Sequence, residues 1–372
     1  MAGALDGVVV ADFTRILAGP YCTMLLGDLG AEVIKVERPG TGDDTRTWGP
    51  PFDRDGRATY FDSVNRNKSS VAWDLGSAEG RAAARQLALR ADVMIENFPA
   101  GSMDRFGLGY DQLADAAPGL VYCSITGFGD GAGAGLPGYD PVVQAVGGLM
   151  SITGPDPEHP SKTGVAVVDV IAGLHAAMGI LAALRHRDRT GTGQRLQVNL
   201  LNSLLSGLVN QAQAYVGADV VARMRGNEHP SIAPFETFAT GDRQIMICAG
   251  NDRQFTALCR VLGDAALAED DRFRTNADRV AHRPSLVAAL TGHLVTRPAA
   301  EWLRELASAG VPAGPVNSIA EAVTLATDLG LAPVVEIADP SRSEPSRTIA
   351  HPVRYSATPA RYELPPPALP GS

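Results

Sequence analysis

The chain has 372 residues, of which 45% are hydrophobic and 20% charged, and its formal net charge is −9. This is the composition of a globular enzyme with a sizeable core. The acidic balance argues against a nucleic-acid or membrane-surface partner, so an anionic ligand has to be held by local cations.

Residues 8–13 form an apolar run broken only by Asp12, the pattern of a buried strand. Residues 14–20 read as a loop, with Pro20 opening a helix over 21–29 and a second strand over 32–37. The result is a βαβ unit, the start of a nucleotide-binding layer. Glu37, closing the second strand, would suit a ribose, but the first loop holds one glycine where G-x-G-x-x-G needs three. A dinucleotide is therefore not expected. Arg38 follows at the strand's carboxyl end, where a phosphate can sit, although by itself it reads better as a solvated loop arginine.

After a polar loop over 41–68, a third strand is expected over 69–75, a helix over 77–90 and a fourth strand over 92–96. The turn Asn97-Phe98-Pro99 ends that strand, and Arg105 lies just beyond. A fifth strand over 121–125 runs into a glycine-rich loop over 126–135, of a kind that often covers active sites. Tyr139 and Asp140 stand before a helix over 142–149 as ordinary start signals.

Asp169 is the most conspicuous single residue. It precedes an apolar helical stripe, Ile171, Leu174, Met178, Leu181 and Leu184, and so reads as its N-cap. A cap of this kind accepts backbone N–H bonds at the positive end of the helix and favours the ionised form. Its flanks are apolar, which points to a buried carboxylate. Gly173 and Gly179 interrupt the helix at a cost of about 1 kcal/mol each, which suggests a close neighbour.

A strand over 194–200 and a helix over 201–215 follow. Beyond Gly226, a hairpin (235–239 with 244–248), helices over 252–262, 284–295, 299–309 and 319–329, and a short strand over 311–316 suggest a smaller α+β domain, 226–330. Residues 1–225 form the larger α/β domain. The tail 331–372 returns to it with strands over 334–337 and 349–355, and its Pro-rich end is expected to fray.

Cys22, Cys123, Cys248 and Cys259 lack metal-ligand spacing and read as buried free thiols in a reducing compartment. The N-terminus lacks a basic region followed by an apolar run, so a cytoplasmic location is expected. The longest apolar run, 164–184, is broken by Asp169 and His175, so no membrane span is expected. No HExxH, CxxC, P-loop lysine or GxSxG is present.

Several ordered blocks resemble the class III CoA-transferases, the formyl-CoA and carnitine CoA-transferase family. They are VVVADFTRILAGP ending at Pro20, EVIKVERP over 32–39, VMIENFP over 93–99, GYDPVVQA over 138–145, DVIAGL over 169–174 and GNEHP over 226–230. The resemblance covers nearly the whole chain. It implies a Rossmann-like large domain with a smaller α+β domain, assembled as an interlocked homodimer. Coenzyme A, as an acyl-CoA substrate, and a carboxylic acid acceptor would be the small-molecule partners, with no metal. Asp169 would be the nucleophile, passing through an acyl-aspartyl anhydride and an aspartyl-CoA thioester.

By position, Ile16 and Ala18 would line the CoA site through their backbone, and Arg38 and Arg105 would meet the phosphates. Leu75 would pack on adenine, and Asn97 and Phe98 would hold the pantetheine arm. Tyr139 and Asp140 would lie beside Asp169. One departure stands out: the region after Gly226 lacks the glycine-rich protective loop of formyl-CoA transferase. The related α-methylacyl-CoA racemase needs a His where this chain has Tyr139, and tyrosine, with an ordinary pKa of about 10, is a poor proton shuttle. A CoA-binding protein without activity is the reading from outside the enzymes.

Overall fold

A computed structural model describes residues 2–371. It divides into two units, 1–150 with 162–222 and 330–372, and 151–161 with 223–329.

The first unit is built on a parallel sheet of β1 (Val9–Asp12), β2 (Glu32–Glu37), β3 (Lys68–Ala72), β4 (Val93–Glu96), β5 (Val121–Thr126) and β6 (Gln194–Asn199). Their order is β3-β2-β1-β4-β5-β6, every neighbour parallel. This is the doubly wound arrangement, whose order reverses beside β1. The central strands carry near-continuous apolar runs because helices cover both faces. On one face Val10, Val33, Val93, Ile95 and Ile125 pack under α1 (Ala18–Asp28) and a long later helix; on the other, Ala11, Ile34, Met94 and Tyr122 pack under α2 (Ala78–Arg90).

Further along come one-turn helices at Ser102–Arg105 and Tyr110–Leu113, then α3 (Asp140–Val146) and α4 (Val167–Thr190). The apolar stripe on α4 is not its core face. Leu174, Met178 and Leu181 are exposed, whereas Ala172, Ala176, Ile180 and Ala183 are buried. Small side chains let α4 approach α1 closely. A Cβ on Gly173 would stand 2.6 Å from the Ala18 carbonyl oxygen, while one on Gly179 would meet Leu196 at an ordinary 3.5 Å. Only the first glycine is demanded by packing. By length and composition α4 is also the one helix among the described residues that could cross a membrane. Its buried small-residue face instead belongs to the core of this unit.

The single helix expected over 201–215 is two, α5 (Leu200–Gly207) and α6 (Val209–Ala218), parted where Val209 takes φ +40°. The second unit holds the antiparallel sheet of β7 (Phe235–Ala239), β8 (Gln244–Cys248) and β9 (Ala313–Pro315). Its helices α7 (Asp252–Val261), α8 (Asn276–Ala281), α9 (Arg283–Leu294) and α10 (Ala299–Ser308) supply a separate core around Phe255, Leu258, Leu290 and Trp302; α11 (Ile319–Asp328) follows.

The tail pairs β10 (Val334–Ile337) with β11 (Ser346–Ile349), three residues ahead of the strand expected at 349. Its end does not fray as the proline content suggested. The carbonyls of Leu364 and Pro367 accept hydrogen bonds from Asn67 N at 2.8 Å and Arg46 Nη2 at 3.0 Å, and Pro366 is buried. Of the cysteines, Cys22, Cys123 and Cys259 are buried and Cys248 is half-buried, all as free thiols.

Candidate active site

Beneath the carboxyl ends of β1 and β2 lies a wall of paired charges. Asp12 accepts from Thr14 Oγ1 at 2.5 Å, Thr23 Oγ1 at 2.6 Å and Lys68 Nζ at 3.2 Å. Lys35 Nζ donates to Asp43 at 2.9 Å and to the Thr14 carbonyl at 2.8 Å. Burial works against the charge on Asp12, but Lys68, Lys35 and the two hydroxyls outweigh it and hold the carboxyl below its ordinary value. Lys68 loses more to burial than Asp12 returns, and falls to about 8. Glu37, which sequence offered as a ribose ligand, is spent on a bidentate pair with Arg46 at 2.7 and 2.6 Å. The dinucleotide reading therefore fails here too.

This wall fixes the loop between β1 and α1. Ile16 sits at φ +71°, a conformation that β-branched residues avoid. It is held because Ile16 N donates to both oxygens of Asp43 at 3.3 Å. Asn97, at the end of β4, clamps the residue before it: its Oδ1 accepts from Arg15 N at 2.9 Å and its Nδ2 donates to the Arg15 carbonyl at 2.7 Å.

The loop opens onto two cavities. One, about 410 Å³, is lined by Arg15, Ile16, Ala18, Asn97, Phe98, the glycine-rich segment from Gly127 to Gly138, Tyr139, Asp140 and Asp169. The other, about 290 Å³, is lined by Arg15, Arg38, Trp73, Leu75 and Phe98 among others. Of the residues singled out in the sequence, Ile16, Ala18, Asn97, Phe98, Tyr139, Asp140 and Asp169 thus meet in the first cavity. Arg38, Leu75 and again Phe98 meet in the second. Arg105 lines neither, its guanidinium donating to Ser102 Oγ at 2.8 Å.

Asp169 is not the cap of α4. The N-cap position is Ala166, and Asp169 is the third residue of the helix. The capping carboxylate is Asp140, whose Oδ2 accepts from Val168 N at 2.8 Å and Asp169 N at 3.2 Å. Gln144 Nε2 steadies Asp140 Oδ1 at 2.5 Å, and Gln144 Oε1 in turn accepts from Thr163 N at 2.9 Å. The N–H groups expected to serve Asp169 are therefore taken by its neighbour.

The electrostatics reverse accordingly. Burial, then the Asp140 charge, push the Asp169 carboxyl up from 3.8 to about 7, where the sequence led us to expect a favoured anion. His175 is a packing residue, its Nδ1 3.2 Å from Ser203 Oγ.

Three contributors escaped the sequence reading. Arg15 lines both cavities, with its guanidinium 5.3 Å over the Phe98 ring. Trp73 adds an aromatic wall to the smaller cavity. Tyr60 packs edge-on against Trp48 at 5.4 Å. Burial raises its phenol, with Asp169 and Asp140 adding to the effect. No group of three or more His, Cys, Asp or Glu among the described residues is placed to hold a metal ion.

Comparison with known proteins identifies the family. A family model described as CoA-transferase family III matches residues 5–372. The chain is 42% identical to succinyl-CoA:glutarate CoA-transferase of Mus musculus, covering 98% of this chain and 84% of that protein. It is also 42% identical to succinate–glutarate CoA-transferase of Agrobacterium fabrum, over 98% and 92% of the two. A crystal structure of a CaiB/BaiF family protein from Brucella suis superposes with a TM-score of 0.89 at 41% identity, covering 99% and 97%.

Proposed function

The chain belongs to CoA-transferase family III, and from that premise we propose that Asp169 is the nucleophile of CoA transfer between an acyl-CoA and a short dicarboxylic acid. The single observation that carries this reading is the Asp169 carboxylate, to whose oxygens none of the described residues donates a hydrogen bond, in a cleft lined also by Asn97, Phe98 and Asp140. An anion without donors is poorly solvated, and poor solvation favours attack on a carbonyl. The acceptor class is drawn from the relatives, whose names specify succinyl-CoA and glutarate.

The chemistry balances as follows. An Asp169 oxygen attacks the thioester carbonyl carbon, the C–S bond breaks and CoA leaves as thiolate, giving an acyl-aspartyl anhydride. The thiolate attacks the aspartyl carbonyl, the donor acid leaves, and an aspartyl-CoA thioester forms. The acceptor carboxylate and then the thiolate repeat both steps in reverse, restoring Asp169.

The N-terminus of α1, whose N-cap Leu17 offers no side-chain cap, faces the same cleft with Ala18. Its N–H groups are suited to the oxyanion that develops at each addition. The glycine-rich wall, tied to β6 where Asp130 meets Gln197 and Arg195, is suited to keeping water from the anhydride. Adenine would occupy the smaller cavity against Leu75 and Trp73, with Arg38 on the phosphates.

We also propose a homodimer. Met178, 65% exposed, and Val216, 78% exposed, are bare together with Leu174, Leu181, Leu205 and Val209 on α4, α5 and α6, and exposed apolar side chains on neighbouring helices suit a second copy. Ultracentrifugation tests this, and a monomer at micromolar concentration contradicts it.

The function is tested by a panel of acyl-CoA donors against acceptor acids, read by thioester mass. Transfer to glutarate or a similar diacid is expected, and Asp169→Ala should lose on the order of 10⁴-fold or more. Full activity in that variant places the nucleophile elsewhere. Deuterium uptake at the α-carbon of a branched acyl-CoA without acceptor would return the reading to a racemase.

A further inference from the structure

We propose that Arg15 binds the diphosphate of CoA, exchanging Asp44 for phosphate when the thioester enters; this rests on the CoA-transfer reading above. Several observations converge on Arg15. It is the one cation among the residues lining the Asp169 cavity, which also presents the carboxylates of Asp140 and Asp169. It lines the second cavity as well, together with Phe98, and so stands at the joint between them. With adenine in one cavity and thioester in the other, the diphosphate is the part of CoA that passes that joint.

The base of Arg15 is rigid. Its N–H and carbonyl are both bonded to Asn97, and the next N–H is bonded to Asp43. Its tip is exchangeable. Nη1 meets Asp44 at 3.0 Å in a pair whose side chains are 30% and 40% exposed, and such pairs hold weakly. Nε is buried and donates to no atom among the described residues, so the guanidinium keeps an unspent donor. A phosphate can take Nε and a terminal nitrogen as a fork, a geometry a lysine cannot offer. Arg15 and Arg38 are the arginines that line these two cavities.

The test compares wild type with Arg15→Ala and Arg15→Lys in the full-length protein, using CoA, dephospho-CoA and an acyl-pantetheine thioester that lacks the nucleotide. Arg15→Ala is expected to weaken CoA and dephospho-CoA equally, by about 10–100-fold in Kd. Its kcat/KM for the acyl-pantetheine should fall at least about tenfold less than its kcat/KM for acyl-CoA, because that substrate carries no phosphate for the guanidinium to meet. Arg15→Lys, which keeps the charge and packing, should fall between and carries the test if the alanine variant does not fold.

Unchanged CoA affinity overturns the assignment. A loss that vanishes with dephospho-CoA overturns it in favour of the 3′-phosphate. An equal loss with acyl-pantetheine, growing when the acceptor carries a second carboxylate, overturns it in favour of acid recognition. A wild-type protein that binds no CoA overturns the functional reading and this one together; a wild type that binds CoA beside an unaffected variant overturns this one alone.

Discussion

Asp12 and Asp169 are both carboxylates drawn out of water within the first unit, and they are treated in opposite ways. Asp12, fully buried, is surrounded by Lys68, Thr14 and Thr23 and titrates below the ordinary range. Asp169 is only half-buried, yet burial pushes its carboxyl up to about 7, and the nearby Asp140 charge adds to the rise where Asp12 has cations to oppose it. Burial alone therefore does not decide the state of a buried acid; the partners do. The paired wall shapes the loop at Ile16, and the unpaired residue is left reactive.

Breaking the wall should have the largest effect on stability. Lys68→Met leaves Asp12 short of its nearest cation, and an uncompensated buried charge costs about 3–5 kcal/mol. Urea unfolding measures this, and a loss below about 1 kcal/mol would show that the wall is not a paired network.

Gly173→Ala comes next. The new methyl meets the Ala18 carbonyl, so α1 and α4 must part at a cost of about 1–3 kcal/mol, with a raised KM for acyl-CoA. Gly179→Ala should be neutral or stabilising by up to about 1 kcal/mol, since nothing crowds it. Equal effects from the two glycines would remove close helix packing from the explanation.

The remaining predictions concern protons. Asp169 holds its proton more tightly folded than unfolded. It therefore costs no stability below pH 3.8; the cost grows up to about 7 and then levels. Asp12 has the opposite sign, its contribution being lost as pH falls below the carboxylate range. Asp169→Asn should thus gain thermal stability relative to wild type between about pH 4 and pH 8, and a constant difference would contradict the raised value.

Asp140→Asn removes the neighbouring charge but keeps an acceptor for Val168 N and Asp169 N. It should move the rising limb of kcat/KM, expected near 7 in wild type, to lower pH. Its stability should fall by less than the 0.5–2 kcal/mol, roughly, of a lost cap. An unmoved limb would separate Asp140 from the titration.

Much of the first unit was legible because its strands are apolar runs between turn signals, and the order of those runs leaves few topologies. What escaped was set at a distance. Nothing near Asp169 tells that Asp140, 29 residues earlier, takes the helix N–H groups. Periodicity found an apolar stripe on α4, but an alanine-rich face packs closer than a leucine face, so the small residues went inside. The proline-rich tail looked loose because its anchors, Arg46 and Asn67, lie some 300 residues away in sequence. Arg15 stands in a block that the family resemblance marks, beside residues assigned to the CoA site, but its own role depends on Asn97 and Asp43, which fix the loop around it from distant positions.

The claim on which the rest depends is covalent capture by Asp169. The direct measurement is to incubate the protein with acyl-CoA and no acceptor, quench with hydroxylamine and map peptides by mass spectrometry. Covalent capture gives a hydroxamate on the peptide carrying Asp169, absent in Asp169→Asn and absent without thioester. Rapid CoA transfer by the same preparation, with that peptide unmodified at every time point, would contradict it.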